Sequence, residues 1–521
     1  MNTIVDVERM SVRQLVGQHL VCGFPKPQLS DEFREAIQTH KIANVILFAH
    51  NIESKEQLAA LTAEIQALVK EACGTSALIG IDQEGGMITR LSPDCTNVPG
   101  AMAIAASGAE ENAYRAGFIT ATELRAMGVN VDFAPSVDVN SNPNNPVIGV
   151  RSYSDRAQTV ITYASKMIEG LQQGGVMATA KHFPGHGDTH LDSHVALPKV
   201  EGDRTTLAEH LAPFRAAVAD GVQAVMSSHI LFPSLEPQLV PATMSRAIIT
   251  GLLKQEMGFK GLVFTDCLEM DAIARHWGTV EGCVAALAAG VDLACISHHI
   301  DLGMAAVEAV EAAIEEGRID IEELKASTQK ILAAKAMLDS FERPPLSVVD
   351  SPSHRAENLH LHRQTITVVN DRSFVLTDRP IFIGPRLFRT TNTAKGAEAN
   401  AFSRIMGERF DSPYIICGDN PDESEIEQIL KTAHGATSVV LATYNGHLNR
   451  GQIALVNRFA STNAICLALR NPYDLALVDE RITTVACYSF TDTVAEVIAR
   501  FLRGEFIAEG KLPVSLGGLD A

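Results

Sequence analysis

Over the first 300 positions, apolar residues recur in short uninterrupted runs. Most of the runs close on a polar residue and are followed by a stretch with helical spacing. The runs fall at 20–23, 45–48, 78–82, 129–135, 176–182, 222–229, 262–266 and 291–297. Runs this short and this apolar suit strands covered on both faces. Between them, 54–72, 110–127 and 156–173 read as helices, with Gly74, Gly128 and Gly174 placed to end them. Eight strands alternating with helices predict an α/β fold of the (β/α)8 TIM-type barrel kind. An open doubly wound sheet shares the rhythm. The barrel is favoured because the runs end in Asp82, Lys181, His182, His229, Asp266 and Ser297, and a barrel gathers its strand C-termini around one site.

Two further helical patterns, 303–316 and 321–338, close this half. Residues 341–354 are rich in Pro and Ser and read as a linker. The expected division is a barrel over 1–340, a linker over 341–358 and a smaller C-terminal α/β sandwich domain over 359–521. The second unit carries apolar runs at 365–369, 381–383, 414–417, 438–442, 464–469 and 485–488, with helices between. None of them carries a catalytic cluster, so packing or dimerisation, giving a homodimer, is the expected role.

Composition narrows the function. The 521 residues are 46% hydrophobic and 20% charged, as in a folded enzyme and unlike a disordered chain. A net charge of −19 argues against a nucleic-acid partner. No run reaches the ~18 apolar residues of a membrane helix. The N-terminus mixes charge into every turn, unlike a secretory signal. The nine cysteines are scattered without CxxC spacing and read as buried small hydrophobes. A cytoplasmic location is expected.

Three clusters carry chemistry. The densest is Lys181-His-Phe-Pro-Gly-His-Gly-Asp-Thr-His-Leu-Asp-Ser-His194, which holds four of the seventeen histidines. Their spacing of four suggests a helical metal stripe, but Pro184, Gly185 and Gly187 forbid a helix there. His and Asp are good ligands, yet the spacing matches neither HExxH nor another ligand pattern, and no metal or other cofactor is expected. His186, beside two glycines, reads as a loop tie. The second cluster, Phe264-Thr-Asp-Cys-Leu-Glu-Met270, puts a carboxylate at a strand tip, where it serves as nucleophile or base, or only caps the next helix. The third, Ile81-Asp-Gln-Glu-Gly-Gly86 with Arg90, combines a sharp turn with an acceptor for sugar hydroxyls; a structural turn with a surface Arg is the plainer reading.

At these clusters the sequence resembles the family 3 glycoside hydrolases, and within them the bacterial β-N-acetylglucosaminidase branch. The matching segments include Pro241-Ala-Thr-Met-Ser245 and Asp192-Ser-His194, and they run in order through the first domain. The ending Gly510-Lys-Leu-Pro-Val514 resembles two-domain members. The resemblance implies a retaining exo-enzyme that releases terminal N-acetylglucosamine from small muropeptide or chitin-type oligosaccharides. Asp266 matches the nucleophile, and His194 the general acid/base, partnered by Asp192. Asp82, Arg90, Arg151 (in Ile148-Gly-Val-Arg-Ser152), Lys181 and His182 match residues that hold the terminal sugar. A histidine suits the second part because its ordinary pKa of about 6.5 lies near working pH.

The chain departs from the family pattern at Cys267, where many members carry Asp after the nucleophile. One Trp and 5% aromatic content fit a small pocket better than a polysaccharide cleft. A β-glucosidase of the same family would place Trp after the nucleophile and take its acid/base from the second domain. A phosphorylase shares the histidine acid/base and is separated by its response to phosphate. A metal-dependent hydrolase and a non-catalytic sugar-binding protein are the readings from other classes.

Overall fold

The computed structural model describes residues 6–189, 197–201, 204–386 and 401–517. Eight parallel strands close into a barrel in sequence order: β1 Leu20–Cys22, β2 Asn44–Leu47, β3 Leu78–Ile81, β4 Val131–Asp132, β5 Met177–Phe183, β6 Ala224–Ser227, β7 Leu262–Cys267 and β8 Leu293–Ile296. The strands are mostly apolar because alternate side chains serve two cores. Val21, Ile46, Leu78, Val131, Met177, Phe264 and Leu293 fill the barrel, while Val45, Ile79, Val225, Val263 and Ala294 face the surrounding helices. Gly80 makes room inside the barrel, where a Cβ would come within 2.7 Å of the Phe133 ring.

The helix Ile321–Asp339 closes the N-terminal end of the barrel, adding Ile331 and Leu338 to the interior cluster. At the same end the buried Asp292 carboxylate accepts from Lys330 (2.6 Å), Lys254 (3.2 Å) and the Val263 N–H (2.9 Å). The opposite, C-terminal end is left to loops, and the candidate site lies there.

Helices run Lys55–Cys73, Glu111–Ala126 and Ala157–Gln173, close to their predicted spans. Gly74 and Gly128 adopt positive φ as expected, but after the third helix it is Gly175 (φ 83°), not Gly174, that turns left-handed. Residues 352–358, read from sequence as linker, are helical: the helix Pro352–Thr365 starts there because Ser351 caps it and Pro352 has no N–H to lose. The junction is pinned to the barrel, with the Asp350 N–H before the helix and the His354 ring in its first turn both bonded to buried Glu123 (3.0 and 2.7 Å).

The second domain is a six-stranded sheet, β9 Thr367–Asn370, β10 Pro380–Pro385, β11 Tyr414–Cys417, β12 Ser438–Thr443, β13 Ala464–Ala468 and β14 Thr483–Ala486, in the order β11-β10-β12-β13-β14-β9. All neighbours are parallel except β9 against β14. Two apolar clusters cover its faces, and the first takes in Met102, Ala103, Ala106 and Val150 from the barrel half, so the two domains share a core. No helix among the described residues is long and apolar enough to cross a membrane.

Candidate active site

At the C-terminal end of the barrel lies a cavity of about 450 Å³ whose walls include Asp82, Arg90, Arg151, Lys181, His182 and Asp266. These are six of the eight residues singled out from sequence. The other two, Asp192 and His194, lie outside the described residues.

Asp266 is the penultimate residue of β7, half-buried, and one carboxylate oxygen accepts the N–H of Cys267 at 2.8 Å. It does not cap the short helix that follows, Asp271–Ala274, whose N-cap is Met270. Cys267 itself is turned toward Glu269, and burial pushes its thiol up to about 12, so it stays a thiol beside the carboxylate. Glu269 accepts the His298 N–H (2.6 Å) and meets the His299 ring (2.5 Å), fixing the rim made by the loop after β8.

Across the cavity, oppositely charged groups hold one another in place. The buried Lys181 ammonium donates to Asp82 (2.9 Å) and Glu84 (2.7 Å). Arg151 grips Glu84 with both arms of its guanidinium (2.9 and 2.7 Å) and donates to the Val147 carbonyl. Arg90 reaches the second oxygen of Asp82 at 3.5 Å and lies over the Phe48 ring. Burial alone would raise both carboxyls, but Lys181 with Arg90 holds Asp82 below its ordinary value, and Arg151 with Lys181 holds Glu84 below its own. Asp82, Glu84, Lys181 and Arg151 are therefore all charged at neutral pH and largely buried. Asp82 still has lone pairs to offer hydroxyl groups.

His182 is set by Asp138. That buried carboxylate takes the His182 ring Nδ1–H (2.7 Å) and the backbone N–H groups of His182 (3.3 Å) and His186 (2.7 Å). With Nδ1 donating, Nε2 faces the Arg151 guanidinium at 3.3 Å as an acceptor. His186, read from sequence as a loop tie, bonds Thr189 through its ring at 2.8 Å, and burial lowers its pKa to about 4. The chain thus enters residues 190–196 from a fixed point. It leaves them at another, where the Val200 N–H bonds Leu231 (3.0 Å).

The sequence reading did not single out Glu84, Asp138, Glu269 or Phe48 among the residues around this cavity, and it left His298 open between a barrel-mouth ligand and a satisfied polar residue. Asp132 was missed too. It ends β4 buried, accepting the Gln83 N–H at 2.9 Å, and burial raises its carboxyl well above the ordinary range. It thereby braces the turn that carries Asp82 and Glu84.

Residues 8–334 match the glycosyl hydrolase family 3 N terminal domain. The chain is 33% identical over 412 residues to "Beta-hexosaminidase A" of Pseudoalteromonas piscicida, covering 71% of this chain and 69% of that protein. It is 38% identical to a solved glycoside hydrolase family 3 β-N-acetylglucosaminidase from Paenibacillus sp. str. FPU-7, with a TM-score of 0.91 over 98% of this chain and 100% of that one. A fungal multi-domain β-N-acetylglucosaminidase of the same family is 31% identical, with a TM-score of 0.90 over 98% of this chain and 61% of that one. The family match over the barrel, together with relatives that share both domains, establishes that the chain belongs to glycoside hydrolase family 3 and is a glycoside hydrolase.

Proposed function

We propose that the protein is a retaining exo-β-N-acetylglucosaminidase that removes terminal N-acetylglucosamine from small muropeptide or chitin-type oligosaccharides. The observation that carries the reading is the single cavity in which Asp266 faces Asp82, Arg90, Arg151, Lys181 and His182. Two relatives that share both domains are described as β-N-acetylglucosaminidases, and a third as a β-hexosaminidase.

In this mechanism Asp82, Arg90, Lys181 and Arg151 hold the hydroxyls of the terminal sugar and fix its anomeric carbon over Asp266. His194, oriented by Asp192, protonates the leaving oxygen as the Asp266 carboxylate attacks, and a sugar ester forms on Asp266. His194 then takes a proton from water, which attacks the same carbon and releases the sugar with retained configuration. A cavity of this size suits one sugar and the start of a second, which favours attack at chain ends.

The test is the initial rate on a chromogenic aryl β-N-acetylglucosaminide against the matching β-glucoside. Strong preference for the acetamido sugar is expected; equal rates or glucoside preference would overturn the substrate assignment. Running the assay with and without phosphate separates hydrolysis from phosphorolysis. The His194→Ala variant should still form the intermediate from substrates with good leaving groups but release it slowly. Equal loss in both steps would remove His194 from the acid/base role.

A further inference from the structure

The turn that carries Arg151 is built jointly by the two domains. Residues Gly149–Arg151 form a single 3-10 turn, with Gly149 at φ 46°. Asn145 takes the N–H groups of Val147 and Ile148 just before it (2.9 and 2.8 Å), and the turn itself is strutted by Asn140, which is buried and uses three groups at once. Its side-chain oxygen accepts the Gly149 N–H at 3.1 Å, its own N–H donates to the Ser154 carbonyl at 3.0 Å, and its side-chain NH2 donates to the Tyr473 hydroxyl at 2.8 Å. Asn140 therefore ties both sides of the Arg151 turn to a tyrosine in the loop after β13 of the second domain.

Asn471 acts from the same loop. Its amide NH2 is held by Asn445 (3.0 Å), and its oxygen sits so close to Gly149 that a Cβ there would come within 2.4 Å. A side chain at Gly149 would push the Asn471 amide aside and strain a backbone at positive φ. Val150, between Gly149 and Arg151, packs in the second domain's apolar cluster. At the far end of the turn, the Ser154 hydroxyl and Arg156 donate to the Pro513 carbonyl, and Asp155 accepts the Ser515 N–H at 2.7 Å. The C-terminal segment thus closes the other side of the brace.

We infer that Tyr473 and Asn471 are positioning residues for substrate binding, acting from the second domain through Asn140 and Gly149 to fix the guanidinium of Arg151. The inference rests on the reading of Arg151 as a sugar-holding residue. It gives the second domain a part in the reaction although none of its described residues lines the cavity. Asn145 and Glu84 hold Arg151 from the barrel, and the second domain adds its contacts at Gly149 and Val150, inside the turn itself.

The test uses the full chain and the variants Tyr473→Phe, Asn471→Ala and Arg151→Lys. Tyr473→Phe leaves the ring in place and strands the Asn140 NH2. It should raise KM for the aryl β-N-acetylglucosaminide about tenfold with kcat within about twofold, as expected when uniform binding is lost. Product N-acetylglucosamine should bind correspondingly more weakly by calorimetry. In the Arg151→Lys background the same substitution should add almost nothing, because the residue it acts through has lost its fork. Asn471→Ala should behave alike and provides a second route if Tyr473→Phe folds poorly. A lowered melting temperature with KM unchanged in both variants, or an effect that persists in full beside Arg151→Lys, overturns the inference. An unmodified enzyme inactive on this sugar instead overturns the functional reading beneath it.

Discussion

Glu84 sits between two buried cations, and its neighbours decide what its removal does. Exchanging Glu84→Gln leaves Arg151 and Lys181 to share what charge Asp82 offers, and breaking one member of a buried set costs about 3–5 kcal/mol. A clear fall in melting temperature and a rise in KM are expected. A variant as stable as the parent would show that the pair is not formed. The pH dependence has a definite sign. Glu84 and Asp82 titrate below their ordinary values in the folded protein, so the stability they add is complete above about pH 4 and disappears as pH falls through the folded values. Glu84→Gln should therefore lose less stability than the parent between about pH 4 and pH 2. At this scale, legibility in the sequence follows local context. Asp266 and Lys181 stand out because each ends or extends an apolar run. Glu84 does not, since two positions past Asp82 it looks like any acidic turn residue, and its partner Arg151 arrives only through folding. Asp138 is hidden for the same reason, its meaning lying in the His182 ring 44 positions later.

Among the elements, the helix Ile321–Asp339 does the least expected work, since it plugs the barrel floor with a lysine as well as with leucine and isoleucine. Lys335 is buried, donates to Gln18 (2.7 Å), and is pushed by burial down to about 7. Unfolded, a lysine stays protonated to about pH 10.4. Between about pH 7 and pH 10 the unfolded chain thus binds a proton that the folded one lacks, and stability should rise with pH by on the order of 1 kcal/mol per unit from this residue. Denaturant titrations of Lys335→Met should show that slope flattened relative to the parent. An identical slope would mean the lysine keeps its proton. The strands were legible because burial on both faces writes them as unbroken apolar runs. Helix starts were less so, as at 352–358, where Pro and Ser signal a loop and a capped first turn equally well.

Over the whole molecule, the barrel supplies the cavity and the second domain stands behind one wall of it. The barrel was readable because each βα unit repeats the same local pattern. The docking of the second domain was not, since Asn140 and Tyr473 are 333 positions apart and neither belongs to a motif. One chemical claim joins these parts: a sugar bonded to Asp266 during turnover. The most direct measurement is intact-protein and peptide mass spectrometry after incubation with a 5-fluoro N-acetylglucosaminyl fluoride, whose second fluorine slows breakdown of the ester. The account predicts a mass gain of one fluorinated sugar, carried by the peptide containing Asp266 and absent in Asp266→Asn. An adduct on another residue, or turnover that yields the inverted anomer with no adduct, would contradict it.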